Sequence, residues 1–161
     1  LPASSAASDV YKRQSMEIAI LAAGCFWGPE IKFSKLNGVL KTEVGYCGGI
    51  NSKTTYKEVC TGKTNHAEVV KIEFDNKVIS YEQILDFFFE IHDPTTLNQQ
   101  GYDIGTQYRS EIFYTSENQK QTAEKVLNKT NNKFNGKIVT NISESKNYCK
   151  AEDYHQKYLE K

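Results

Sequence analysis

The sequence predicts an α+β fold: a two-layer α/β sandwich with a ferredoxin-like βαββαβ core and a C-terminal extension. Three observations carry that expectation. Ile18-Ala19-Ile20-Leu21-Ala22-Ala23 is a short apolar run bounded by turn residues, the pattern of a buried strand. Val70, Ile72 and Phe74 alternate with Val69, Lys71 and Glu73, the pattern of a strand with two unlike faces. Ile84, Phe87, Phe88 and Ile91 recur at helical spacing within residues 80–92. The resulting order of strand, helix, strand, strand, helix, strand is that of a split β-α-β unit used twice.

Taken in order, residues 1–15 lack the apolar middle of a signal peptide and show no helical or strand period. Met16, the only methionine, stands directly before the first strand. Residues 1–15 are therefore read as a disordered, non-native leader, and residues 16–161 as one domain. Gly24-Cys25-Phe26-Trp27-Gly28-Pro29-Glu30 then leads into a short helix through Ile31, Phe33 and Leu36, closed by Asn37-Gly38. Cys25 thus falls where a strand hands over to a helix N-terminus. Free N–H groups and the helix dipole there favour an anion, so the thiol is expected to ionise more easily than an ordinary one. A small buried cysteine is the alternative. Flanking glycines that admit a ligand, and two aromatics able to wall a pocket, favour a reactive thiol.

Val39–Tyr46 reads as the second strand, ending in a Gly-rich turn, and residues 50–65 as a polar loop. The third strand spans His66–Phe74, with Glu68 in the register of its apolar face. A carboxyl there is either desolvated, with a raised pKa and a proton held near neutrality, or at a frayed strand end reaching water. Ser80 with Gln83 forms a capping-box pattern at the start of the next helix, and Asp93-Pro94 ends it. His92 suits that helix's C-terminal dipole better than catalysis. Residues 94–109 form a long connection offering Asp103, Tyr108 and Arg109 as candidates; a plain surface loop is the alternative. Ser110–Thr115 reads as a strand, Ser116–Thr130 as a helix, Lys137–Ile142 as a last strand and Ala151–Lys161 as a closing helix.

The 161 residues suit one core, and 20 basic against 20 acidic residues leave no electrostatic footprint for nucleic acid or a membrane surface. No apolar run approaches the roughly 18 residues of a spanning helix. The cysteines at 25, 47, 60 and 149 show neither C-x-x-C spacing nor a disulfide framework, which points to a reducing, cytoplasmic setting. Structural zinc ligands come in close pairs, which these are not, and no cofactor or metal is expected.

Gly24-Cys25-Phe26-Trp27-Gly28 resembles the signature of the A-type peptide methionine sulfoxide reductases. Gly45-Tyr46-x-Gly48-Gly49, Tyr56-x-x-Val59-Cys60-x-Gly62, His66-Ala67-Glu68, His92-Asp93-Pro94-Thr95, Gly105-Thr106-Gln107-Tyr108-Arg109-Ser110 and Ala151-Glu152-Asp153-Tyr154-His155-Gln156 resemble further family segments, in the family's order. The resemblance implies a catalytic domain that reduces the S epimer of methionine sulfoxide, free or in oxidised proteins. It implies Cys25 as nucleophile, Glu68 as the acid that protonates the sulfoxide oxygen, and Tyr56 and Tyr108 as hydrogen-bond donors to that oxygen. By the same resemblance Asp103 orients substrate and cysteine, and Phe26 and Trp27 form the pocket for the methyl group. Cys25 would become a sulfenic acid.

A second thiol would resolve it: Cys149 in the polar C-terminal segment, Cys47 as its rival, or an external thiol directly. Cys60 matches a family cysteine and reads as structural. Three departures stand out: cysteine at 149, where an aromatic pair is usual nearby, Cys47, where a small residue is usual between the two Gly-containing pairs, and Tyr102, where a small polar residue usually precedes Asp103. Thioredoxin or another thiol is the implied reductant, and the protein is expected to be a monomer. Two other functions need the same thiol. A thiol peroxidase needs no methyl pocket, and a redox sensor would oxidise without turnover.

Overall fold

The structure, a computed structural model, describes residues 15–161. The leader expected over residues 1–15 lies outside the described residues except for Ser15, which is buried. Strand β1 (Met16–Ala23) runs into helix α1 (Trp27–Ser34), and β2 (Val39–Cys47) follows. A short helix α2 (Tyr56–Cys60) interrupts what the sequence presents as loop; Thr55 caps it by accepting from Glu58 N–H. Its single turn is too short for hydrophobic periodicity to register. Next come β3 (Ala67–Asp75) and α3 (Tyr81–Glu90), the latter opened by the expected capping box of Ser80 and Gln83. The hairpin β4 (Gln99–Gln100) and β5 (Asp103–Ile104) lies inside the long connection before β6 (Ser110–Tyr114). Helix α4 (Glu117–Asn131), capped by Ser116, precedes β7 (Asn141–Glu144) and β8 (Cys149–Lys150).

The six-stranded sheet has the order β7-β6-β1-β3-β2-β8. Within it β6, β1, β3 and β2 lie side by side, every neighbour antiparallel, as two interleaved split β-α-β units require. Register fixes which side chains share a face. Leu21, Val44, Val70, Ile72, Phe74 and Ile112 meet Phe33 of α1, Ile84, Leu85 and Phe88 of α3, and Ala123 and Val126 of α4 in the main core. The other face buries Ile20, Ala22, Cys47, Ala67, Val69 and Phe113, with Tyr148 across them. All three longer helices therefore cover one face, giving the expected two layers.

Two expected elements differ. The strand placed at Lys137–Ile142 begins only at Asn141, because Val139 N–H instead donates to Pro94 O (2.8 Å), tying residue 139 to the long connection. The closing helix at Ala151–Lys161 is a pair of 3-10 turns, Asp153–His155 and Tyr158–Glu160. Side-chain anchors decide its course. Gln156 bonds both Val44 N–H (3.0 Å) and Val44 O (2.9 Å), and Lys157 N–H donates to the buried Glu30 carboxylate (2.8 Å).

Candidate active site

Cys25 is the middle of the three-residue step from β1 to α1, between Gly24, at φ +89°, and Phe26, the N-cap of α1. It is half-buried, and the Trp27 N–H points at its sulfur. Contrary to the sequence expectation, its pKa is raised, to about 11. Burial is the main cause, with the carboxyls of Glu68 and Asp103 adding like charge; the helix N–H only partly offsets them. The local sequence signal located the helix terminus but not the burial and the opposing charge of Glu68 and Asp103, which come from distant strands.

Glu68 does lie on the apolar face of β3, 1% exposed, with Oε1 accepting from Phe26 N–H at 3.2 Å. Its pKa is pushed up to about 8, chiefly by burial and further by the Asp103 charge, against the pull of the Phe26 amide. Tyr56 and Tyr108 both face this carboxyl, and Tyr108, at about 12, also faces Cys25 and Asp103. Burial holds Tyr108 up, and the Tyr56 hydroxyl meets the Cys60 thiol, which raises Tyr56 most. Asp103 is exposed, on the β4–β5 hairpin. Cys25, Glu68, Tyr56, Tyr108 and Asp103 are thus brought together from five separate segments. Cys60 lies at the rim of this group, exposed at the end of α2.

Phe26 and Trp27 pack behind the site on a residue to which sequence patterning assigns no role, His155. Trp27 Nε1–H donates to His155 Nδ1 (3.1 Å), and the imidazole ring lies 4.6 Å from Tyr56 and 5.2 Å from Phe26. The indole of Trp27 also stacks on Tyr158, at 3.9 Å and 13°. Glu152 is likewise missed by patterning: it accepts from Tyr46 Oη–H (2.7 Å) and from Tyr56 N–H (2.9 Å), which sets the start of α2. Both residues belong to the Ala151–Gln156 segment, whose charge and aromaticity carry no period that could have flagged them.

Cys149 pairs across the sheet with Tyr46, which pairs with Glu68. Directly opposed residues share a face, so Cys149 stands on the Glu68 side, roughly 10 Å away over two strand spacings. Its sulfur rests against Thr54 O (3.7 Å). Cys47 is fully buried on the opposite face, where its thiol meets Lys146 O (3.4 Å). Arg109 is engaged by Glu111 (2.6 Å). His92 is half-buried, with Nδ1–H on Phe88 O (2.6 Å) and Nε2 accepting from Ser110 Oγ (2.7 Å). Burial lowers its pKa to about 4, so it is neutral and cannot serve the helix dipole as a cation. A cleft of about 840 Å³ opens between α3 and α4, lined by Asp86, Phe89, His92, Lys129 and Phe134, and holds none of the clustered residues. Among the described residues no three His, Cys, Asp or Glu side chains converge as a metal set, and no helix is long and apolar enough to cross a membrane.

A half-buried thiol grouped with a buried carboxyl and two phenols, on a two-layer α/β scaffold, is the site of a cysteine-dependent oxidoreductase. The peptide methionine sulfoxide reductase family profile matches residues 17–161. The peptide methionine sulfoxide reductase MsrA of Pelagibacter ubique is 71% identical over 146 residues, covering 91% of this chain and 99% of the relative. That of Pasteurella multocida is 52% identical, covering 88% and 81%. The reduced form of Mxr1 from Saccharomyces cerevisiae superposes with a TM-score of 0.88 at 42% identity, over 91% of this chain and 86% of that one. Mxr1 has also been solved in complex with Trx2; that structure matches with a TM-score of 0.66 at 29% identity, over 90% and 86%. The chain belongs to the peptide methionine sulfoxide reductase family.

Proposed function

We propose that this chain reduces the S epimer of methionine sulfoxide, free or in oxidised proteins, to methionine, with Cys25 as nucleophile and Glu68 as acid. The observation that carries the reading is the carboxyl of Glu68, 1% exposed on the thiol's side of the sheet and bonded to the amide next to Cys25. Burial lets it hold a proton at neutral pH, as a general acid must.

A sulfoxide oxygen leaves poorly until protonated. Glu68 gives it a proton while the Tyr56 and Tyr108 hydroxyls donate hydrogen bonds to it. Cys25 loses its proton as its sulfur attacks the sulfoxide sulfur, with Asp103 orienting the pair and Phe26 and Trp27 walling the methyl group. The oxygen ends on Cys25. Thiol and sulfoxide become sulfenic acid and thioether, two electrons passing from the cysteine sulfur to the sulfoxide sulfur. The thiol proton restores Glu68, so the acid is unchanged over the step. Cys149 then attacks the sulfenic acid, forming a Cys25–Cys149 disulfide and releasing water, and thioredoxin or another thiol reduces the disulfide. Position on the Glu68 face favours Cys149 over the buried Cys47 on the other face, and the yeast relative's complex with Trx2 supports a thioredoxin donor. A cytoplasmic monomer that repairs oxidised methionine, with no cofactor or metal, completes the reading.

The test is steady-state reduction of the two separated sulfoxide epimers with a thiol donor, for the parent and Cys25→Ser. Turnover of the S epimer alone, abolished by the substitution, is expected. Equal rates on both epimers, or activity surviving without Cys25, would refute it. Faster turnover of peroxide than of dimethyl sulfoxide would make the protein a thiol peroxidase instead.

A further inference from the structure

The connection of residues 94–109 delivers Asp103 and Tyr108 to the site, yet its only regular strand structure is a hairpin of two-residue strands. Such a hairpin is too short to hold its own shape in water. Bonds within the connection brace it, Gly105 N–H to Asn98 O (2.9 Å) and Thr96 Oγ1 to Gln99 O among them, and one side chain ties it to the rest of the site. Gln100 Oε1 accepts from Asp93 N–H at 2.9 Å, and Gln100 Nε2 donates to Asp93 O at 2.8 Å. The amide thus closes both backbone groups of Asp93, three residues past the end of α3, as a strand partner would. The aliphatic stem of the same side chain lies against Gly24: a Cβ there would stand 2.6 Å from Gln100 Cγ and 2.7 Å from its Cβ. Gln100 is also the residue that pairs in register with Asp103.

We propose that Gln100 is a positioning residue, whose side chain pins the Asp103 hairpin simultaneously to the backbone that follows α3 and to the backbone that carries Cys25. Its backbone sets Asp103, its stem sets Gly24, and its amide anchors both to the backbone that follows α3. Without the amide bonds the exposed Asp103 carboxyl is free to turn into solvent. Without the stem the step before the nucleophile has room to move. The inference rests on the reading of Cys25 and Asp103 as partners in sulfoxide reduction, and it is tested without sulfoxide.

The readout is the pH dependence of Cys25 alkylation by iodoacetamide, followed by mass mapping of the Cys25 peptide. The groups facing that thiol are the carboxyls of Glu68 and Asp103 and the Tyr108 hydroxyl, with the Trp27 amide opposing the two acids. Asp103→Asn removes one like charge, and the alkylation midpoint should fall by about half a pH unit or more. Gln100→Met keeps the stem and loses both amide bonds. It should lower the midpoint in the same direction, and the double variant should fall no further than the larger single shift. In sulfoxide reduction, Gln100→Met should lower kcat about tenfold with little change in KM, as expected when a reacting group is displaced while substrate binding is left intact. Gln100→Asn, polar but one carbon too short to reach Asp93, should behave alike and guards against a folding failure of the methionine variant. A parental midpoint in both Gln100 variants, an unmoved midpoint in Asp103→Asn, or fully additive shifts would overturn the pin. Absence of sulfoxide turnover in the parent protein would instead overturn the proposed activity and leave the alkylation result standing.

Discussion

Glu68→Gln separates the cost of the buried acid from its use. The carboxyl has a value of 4.5 when free and about 8 in the fold. Below pH 4.5 folded and unfolded chains both hold the proton, and stability does not depend on this group. Between 4.5 and about 8 the unfolded chain has released it while the folded chain keeps it, so the fold binds more protons and stability declines as pH rises. Each unit of separation is worth about 1.4 kcal/mol. The penalty is then on the order of 3 kcal/mol at pH 7, and approaches about 5 kcal/mol above pH 8. Glutamine is neutral in both states and can still accept from the Phe26 amide. The variant should therefore match the parent near pH 4.5 and exceed it at pH 7 by roughly 6–12 °C in Tm. Its sulfoxide reduction should fall at least about tenfold, the lower end of what a general acid supplies. Urea unfolding at pH 4.5, 7 and 9 beside steady-state kinetics checks both halves. A stability difference that does not vary with pH, or unchanged turnover, would refute the reasoning.

Cys149→Ser should still form about one methionine per chain in a single turnover, while thioredoxin-driven turnover falls at least about tenfold; Cys47→Ser should match the parent, and mass mapping after one turnover identifies the disulfide. His92 has the opposite sign to Glu68. Its folded value near 4 lies below the free 6.5, so the stability it contributes is lost as pH falls from 6.5 toward 4, on the order of 3 kcal/mol. His92→Gln should be less stable at pH 7 by about 1–3 kcal/mol because its hydrogen bonds are broken, yet lose less on acidification, as urea midpoints at pH 7 and 4.5 would register. Gly24→Ala forces a side chain onto a φ of +89° and into the Gln100 stem. A loss of about 1–3 kcal/mol in thermal unfolding is expected.

Long periodic segments are legible because their pattern records one partner, the core. The alternation from Val69 to Phe74 marks β3 and puts Glu68 on the correct face, and the Ser80–Gln83 box marks the start of α3. Elements held by single side chains are not legible. The Tyr56–Cys60 helix has a local cap in Thr55 but takes its place from Glu152, almost a hundred residues away, and the C-terminal turns depend on Gln156 and Lys157. The same limit explains the Cys25 thiol. Local sequence shows the helix that favours its anion, whereas the burial and the two carboxylates that oppose it exist only in three dimensions. Tyr56, Tyr108 and Asp103 are reached through motif resemblance, since their positions in short or irregular segments leave no physical signature along the chain.

Trp27 is the only tryptophan of the protein, and it is held between Tyr158 of the last turn and the imidazole of His155. The chain consequently carries its own optical reporter. Indole emission is sensitive to stacking and to polarity, and here it arises from a ring two residues after Cys25 that touches the turns following Cys149. Stopped-flow fluorescence can therefore follow sulfoxide arrival and oxidation in unlabelled protein, separating steps that a steady-state assay merges into one rate.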